Sequence, residues 1–271
     1  MSQRVIGIIA GSGIYPQTFM DAARAREEDI KLIVAAFKGE TREELADQAD
    51  ASCWLRVGQL GKLIKFLKKQ GVTEAVMMGQ IAPRNLFDLV PDVRMVKLLA
   101  RTKEKNAETL FGGIADELAK DGITLLNATT FLEKNMPAEG HVYGPVLNED
   151  FISDSRYGFK IAKETSRLDI GQSVVVKNGT VLAVEAFEGT NACIKRAGEL
   201  GNAKDLTLAK VSKPNQDFRF DVPVIGPDTV KNCARSGVRL IVIEASKTLL
   251  LECDKVEQMC EEHKVSIVSL T

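Results

Sequence analysis

Histidine is almost missing: His141 and His263 are the only two in 271 residues, too few for a histidine-rich zinc site. A bound metal would have to be held by carboxylates, which points to magnesium or manganese. Cysteine offers no framework either. Cys53, Cys193, Cys233, Cys253 and Cys260 form no CxxC pair, and an odd count suits reduced thiols better than disulfides. Charge of one sign is also lacking: 36 Lys and Arg stand against 37 Asp and Glu, which excludes the basic excess of a dedicated nucleic-acid binder. No run approaches the roughly 20 apolar residues of a membrane span. Met1-Ser2-Gln3-Arg4 has no cleavage-site pattern, so no secretory leader is expected. What is left is a soluble globular chain, cytoplasmic by its thiols and long enough for two domains.

Apolar runs alternate with amphipathic helical patches through the first half. Arg4–Ala10, Lys31–Ala36, Glu74–Met78 and Ile123–Leu126 read as buried strands. Leu60, Leu63, Ile64 and Leu67 recur at helical spacing, with Lys62, Lys65, Lys68 and Lys69 on the other faces. Those lysines are either a solvated face or a contact for phosphates or an anionic membrane surface. Strand, helix, strand repeated in this way predicts an α/β fold with a Rossmann-like parallel sheet over residues 1–132. The first strand ends in Gly11-Ser12-Gly13, but Pro16 replaces the third glycine of a dinucleotide fingerprint. The turn can bring backbone amides to a phosphate or sugar, or be structural only; a nicotinamide-dependent oxidoreductase is the alternative that rests on it. Gly79 and Arg84 follow the Glu74–Met78 strand, where parallel sheets line a ligand crevice.

Residues 133–145 carry two prolines and two glycines with little periodicity and read as a linker. A distinct C-terminal α/β domain is expected over 146–271. In it, Ser173–Val176 and Val181–Val184 flank Asn178-Gly179, a strong hairpin signal. Thr190 is placed to cap a helix ending near Leu200, with Glu185 and Glu188 beside its amides as metal ligands or a water-orienting base. Gly226-Pro227 starts another helix.

The stretch Lys213-Pro214-Asn215-Gln216-Asp217-Phe218-Arg219-Phe220-Asp221-Val222-Pro223 is the least generic. Read as extended chain, it puts Asp217, Arg219 and Asp221 on one face and the phenylalanines on the other. Four residues of strand span about 13 Å, whereas magnesium binds oxygens at about 2.1 Å. A straight strand cannot give both aspartates to one ion; either the chain bends, or the two carboxylates have different tasks. An ion-pair ladder and a metal site both remain open.

The chain resembles the LpxI-type UDP-2,3-diacylglucosamine pyrophosphatases of lipid A biosynthesis. The matching pieces are Gly7–Gly13 with Pro16, Val76–Ile81, Gly171–Val176, Val184–Thr190 and Lys213–Gly226. The resemblance implies magnesium-dependent hydrolysis of that nucleotide sugar to UMP and 2,3-diacylglucosamine 1-phosphate (lipid X). It implies a substrate lying between the domains, and an enzyme at the cytoplasmic face of the inner membrane of a Gram-negative-type envelope. By the same analogy Asp221 is the first choice for the essential carboxylate, with Asp217 and Glu188 as further catalytic candidates and Asp221, Glu185 and Glu188 as metal ligands. Substrate contacts would come from Gly11, Ser12, Gly13, Gly79, Gln172, Thr190, Lys213, Gln216 and Arg219. Asn191 departs from the aspartate usual after Gly-Thr, keeping an acceptor but not the charge. A homodimer and a non-catalytic UDP-sugar or lipid sensor are left open.

Overall fold

The computed structural model describes residues 3–81, 90–102 and 107–271. The chain forms two compact units: Met1–Leu132 with Asp217–Asp221, and Glu133–Gln216 with Val222–Thr271.

In unit 1 the strands are β1 (Val5–Ala10), β2 (Lys31–Phe37), β3 (Ala51–Leu55), β4 (Glu74–Met78) and β5 (Thr124–Leu125). They form one parallel sheet in the order β3-β2-β1-β4-β5, as the alternating pattern predicts. Strand order reverses at β1, the switch point where such sheets open a crevice. Its helices are α1 (Tyr15–Arg26), α2 (Glu43–Asp47), α3 (Leu60–Lys69), α4 (Val93–Arg101) and α5 (Ala107–Lys120). The stripe Leu60, Leu63, Ile64 and Leu67 is buried against Ile9, Ile33 and Ala35 of the sheet. β3 is an edge strand with Trp54 38% exposed; its half-wet pattern shows no sustained apolar run, so the sequence does not announce it.

In unit 2 the elements are β6 (Gly140–Tyr143), α6 (Glu149–Arg167), β7 (Ser173–Lys177), β8 (Thr180–Val184), α7 (Thr190–Leu200), β9 (Leu206–Lys210), β10 (Val224–Ile225), α8 (Pro227–Arg235), β11 (Val238–Glu244), β12 (Leu249–Leu250), α9 (Cys253–His263) and β13 (Ser266–Leu270). Six strands make a mixed sheet, β6-β13-β11-β9-β7-β8. β9, β11 and β13 are mutually parallel, with antiparallel neighbours outside them. Alternate residues serve opposite faces. Val174, Val176, Ala209, Leu240 and Val242 pack with Ala162 of α6, while Val175, Leu208, Ile241 and Ile243 pack with α7, α8 and α9. Burial on both faces is why these strands read as continuous apolar runs.

The Asn178-Gly179 hairpin forms with both residues at positive φ. Asp154, buried on α6, accepts hydrogen bonds from the Asn178 and Gly179 amides at 2.8 and 2.7 Å, a clamp the local sequence does not reveal. Residues 133–145, expected to be an irregular linker, hold a short 3-10 turn and β6, which pairs antiparallel with β13. Four residues are too few to show a strand period. All five cysteines are free. Burial pushes the thiols of Cys193 and Cys260 up to about 12, so neither is a nucleophile at neutral pH.

Candidate active site

The structure corrects the extended reading of the Lys213–Pro223 stretch. Asp217 starts a single helical turn. Its carbonyl accepts from the Phe220 and Asp221 amides at 3.2 and 3.0 Å, and its carboxylate accepts from the Arg219 amide at 3.1 Å. An aspartate that bonds to the amide two residues on competes directly with a strand ladder, and Pro214 and Pro223 remove ladder donors on either side. Asp217 and Asp221 therefore stand four apart on one helical turn, where side chains are near neighbours, rather than at opposite ends of a straight strand. The turn is anchored in unit 1. Phe220 packs into that unit's core with its ring 5.6 Å from Phe111, and the Phe218 carbonyl accepts from the Ala128 amide at 2.8 Å.

Arg219 grips Asp217 bidentately, Nε to Oδ1 at 2.9 Å and Nη2 to Oδ2 at 2.6 Å, the ion pair anticipated from the charge pattern. That guanidinium holds the Asp217 carboxyl below the usual carboxylate range. Asp221 is half-buried at the exit of the turn.

The glycine turns after β1 and β4 are stitched to one another. The Gly11 amide donates to Met78 O at 2.8 Å, the Ser12 amide to Gln80 O at 2.7 Å, and the Gln80 amide to Ser12 O at 3.3 Å; the Ser12 hydroxyl also reaches Gln80 O. Two amides that a pyrophosphate would need are thus engaged with backbone, which removes the support for a dinucleotide cradle. Gly79 has φ +83°, and a Cβ there would lie 2.6 Å from Ser12 O. Gly79→Ala is expected to destabilise unit 1 by about 2 kcal/mol or more, visible as a lowered thermal midpoint; an unchanged midpoint would refute the interlock. Arg84 lies outside the described residues.

In unit 2 the candidates gather at one sheet edge, the carboxyl ends of β8, β9 and β11 and the amino end of β7. Ser173 pairs with Lys210 in register, and the Glu185 amide donates to Ser173 O. The cap differs from expectation: Gly189 (φ +82°) is the N-cap of α7, with no side-chain cap. Thr190 instead donates to Glu185 Oε1 at 2.9 Å and receives Lys210 Nζ at 3.1 Å. Glu185 Oε2 is buried without a hydrogen-bond partner. Glu188 does not join it. Its carboxylate is held by Arg196 at 2.6 Å, which keeps it below the usual range. Nearby in sequence, Gln216 Oε1 accepts from the Lys213 amide at 2.6 Å and from Gln172 Nε2 at 3.3 Å, and Lys213 is ion-paired to Asp169. Asn191 is exposed in the first turn of α7. Among the described residues no three carboxylates, histidines or cysteines converge as a metal cluster.

Sequence reasoning missed one polar centre. Glu244, 5% exposed at the end of β11, accepts from Ser212 N at 2.9 Å, Ser212 Oγ at 2.7 Å, Lys163 at 2.9 Å and Lys247 at 2.8 Å. It fixes the residue that precedes Lys213. The available signal was a carboxylate closing the apolar run Leu240–Ile243.

Comparison with known proteins covers nearly the whole chain. A model of the LpxI N-terminal domain matches residues 5–135 and one of the LpxI C-terminal domain matches 138–268. A Caulobacter vibrioides protein, the UDP-2,3-diacylglucosamine pyrophosphatase LpxI, is 30% identical over 263 residues, covering 93% of this chain and 92% of that relative. The chain belongs to the LpxI family. Its LpxI N-terminal match coincides with the parallel sheet and its LpxI C-terminal match with the mixed one. Among solved structures, a Rhizobium etli pyruvate carboxylase variant aligns over 75% of this chain and 18% of its own, at 15% identity and TM-score 0.28. Glycinamide-RNase-transformylase T from Mycobacterium tuberculosis aligns over 68% and 44%, at 12% and 0.25. Neither carries an argument about fold or function.

Proposed function

We propose that this protein hydrolyses the pyrophosphate of UDP-2,3-diacylglucosamine, releasing UMP and lipid X in lipid A biosynthesis at the cytoplasmic face of the membrane. The observation that carries the reading is the end-to-end similarity to a relative named for that activity. The site geometry is compatible with it. A pyrophosphate resists attack because its anionic oxygens repel a nucleophile, so catalysis needs positive charge at the phosphates and a carboxylate for the water. Lys210, Lys213 and Arg219 supply the first; Asp221 is assigned the second. The resemblance to the LpxI family is what suggests a substrate lying between the domains.

The residues fit magnesium in part. The buried, unpartnered Oε2 of Glu185 is an oxygen that a hard cation would satisfy, whereas Glu188 is taken by Arg196. Glu185 is therefore the unit 2 residue assigned to hold magnesium, with Asp221 kept as a ligand on the family resemblance alone; the ion would neutralise charge on the phosphate oxygens. Asp217 keeps Arg219 oriented, and Gln216 and Gln172 shape the approach of Lys213.

The test is direct. Purified protein with the nucleotide sugar and magnesium should release UMP and lipid X, and a chelator should stop it. Folded protein that yields no product above background excludes the reading, and tight substrate binding without turnover would favour a sensor.

A further inference from the structure

We propose that unit 1 carries a docking surface for an anionic phospholipid bilayer, formed by a basic groove along α3, α4 and α5 and the exposed valines of α4. The groove has a volume of about 910 Å³, and its cations include Lys62, Lys65, Lys97, Arg101 and Lys120. Two carboxylates line it, and both are spent on the protein. Asp92 caps two helices, accepting from Gly61 N at 2.6 Å at the start of α3 and from Met95 N at 3.0 Å in α4. Glu117 is gripped by Arg94, Arg101 and Lys120 at 2.7, 2.8 and 2.5 Å. Lys120 and Arg94 hold its carboxyl at about 2, so it stays ionised and neutralised. Lys62, Lys65 and Lys97, all exposed, are the groove cations left over among the described residues.

The second component is apolar. Val93 and Val96 share a face of α4 and are 72% and 50% exposed, and Val90 ahead of the helix is 46% exposed. The buried side of that helix is Met95 and Leu98. A site for a small soluble anion needs the cations but has no use for protruding valines. A bilayer surface uses both, phosphate headgroups for the lysines and the headgroup–acyl boundary for the valines. With a net charge of −1 over the whole chain, the positive excess is a property of this face and not of the protein. The assignment deepens the reading above by naming where an enzyme acting on a lipid-linked nucleotide sugar meets its membrane. It rests on that reading only for purpose, because vesicle binding is measured without turnover and either can fail alone.

Flotation of the full chain with vesicles tests it, using phosphatidylcholine alone and phosphatidylcholine with one-third phosphatidylglycerol. Wild type should float with the anionic vesicles and be released by salt, since the screening length falls from about 10 Å at 0.1 M to about 3 Å at 1 M. Replacing three cations, Lys62→Glu with Lys65→Glu and Lys97→Glu, should lower partitioning by about 100-fold or more at an unchanged thermal midpoint. Val93→Ser with Val96→Ser should lower it about tenfold while keeping the salt dependence. Equal flotation with neutral vesicles, or a triple variant that floats like wild type, overturns the proposal. So does wild-type self-association that the valine variant abolishes, which would make a second copy the occupant. Inorganic phosphate binding lost in the triple variant without any flotation would reassign the groove to a small anion.

Discussion

Asp221→Asn should reduce kcat on UDP-2,3-diacylglucosamine by about 1,000-fold while KM moves only a few-fold, the pattern of a group used in the transition state more than in binding. The fold gives a reason to expect this asymmetry. Asp217 cannot stand in for its neighbour, because both its oxygens are committed to Arg219. Asp221 enters the turn through its backbone amide, bonded to Asp217 O at 3.0 Å, and that bond survives a change of side chain. Asparagine is nearly isosteric and keeps one acceptor oxygen, so the turn and the Phe220 anchor should persist and the thermal midpoint should move little. Asp217→Asn should act differently: it frees Arg219, and KM should rise because the cation proposed to meet the phosphate has lost its orientation. Product release followed by phosphorus NMR distinguishes the two variants. An Asp221→Asn enzyme that keeps a tenth of wild-type turnover would sink the assignment.

Much of the framework was legible because burial on both sheet faces leaves uninterrupted apolar runs. β1, β2 and β4 were readable that way, and the Asn178-Gly179 hairpin was readable because few other residue pairs tolerate two positive φ values. The site was less legible, for physical reasons that differ from place to place. The period-two reading of Asp217–Asp221 assumed a ladder partner. Among the described residues the structure has none there: the segment closes on itself through Asp217, and Phe220 is held by Phe111, a partner distant in sequence. Thr190 was a reasonable cap by composition, but Gly189 takes the cap position and leaves the Thr190 hydroxyl to Glu185. Which of two adjacent residues caps a helix depends on the φ the incoming loop imposes, and that is set by the β8 exit, not by the cap sequence. Lys163 and Glu244 could not be paired at all from sequence, since they stand 81 residues apart along the chain, on α6 and β11.

That last pair carries a strong stability effect. Burial alone would raise the Glu244 carboxyl, but hydrogen bonds from Lys247, Ser212 and Lys163 outweigh it and hold the group at about 2 against an ordinary 4.5. A carboxyl depressed in the folded state stabilises the fold fully above its unfolded pKa, and the contribution is lost as pH falls through the folded value. For Glu244 the window runs from pH 4.5 down to about 2, and the contribution within it is on the order of 3 kcal/mol. Glu117 is depressed to about 2 as well, so the slope of wild type alone does not isolate either group. The difference between wild type and Glu244→Gln does: it should be about 3 kcal/mol at neutral pH and shrink toward zero as Glu244 protonates. Denaturant midpoints taken across the window measure it, and a difference that stays constant from pH 7 to pH 2 would show that the carboxylate's charge is not what Ser212 and the lysines respond to. Because Ser212 leads directly into Lys213 and Pro214, the same substitution should raise KM at neutral pH, where the protein is still folded. The network then acts on function by holding the start of the Lys213–Asp221 segment, and a KM left unchanged alongside a lost pH dependence would confine Glu244 to stability.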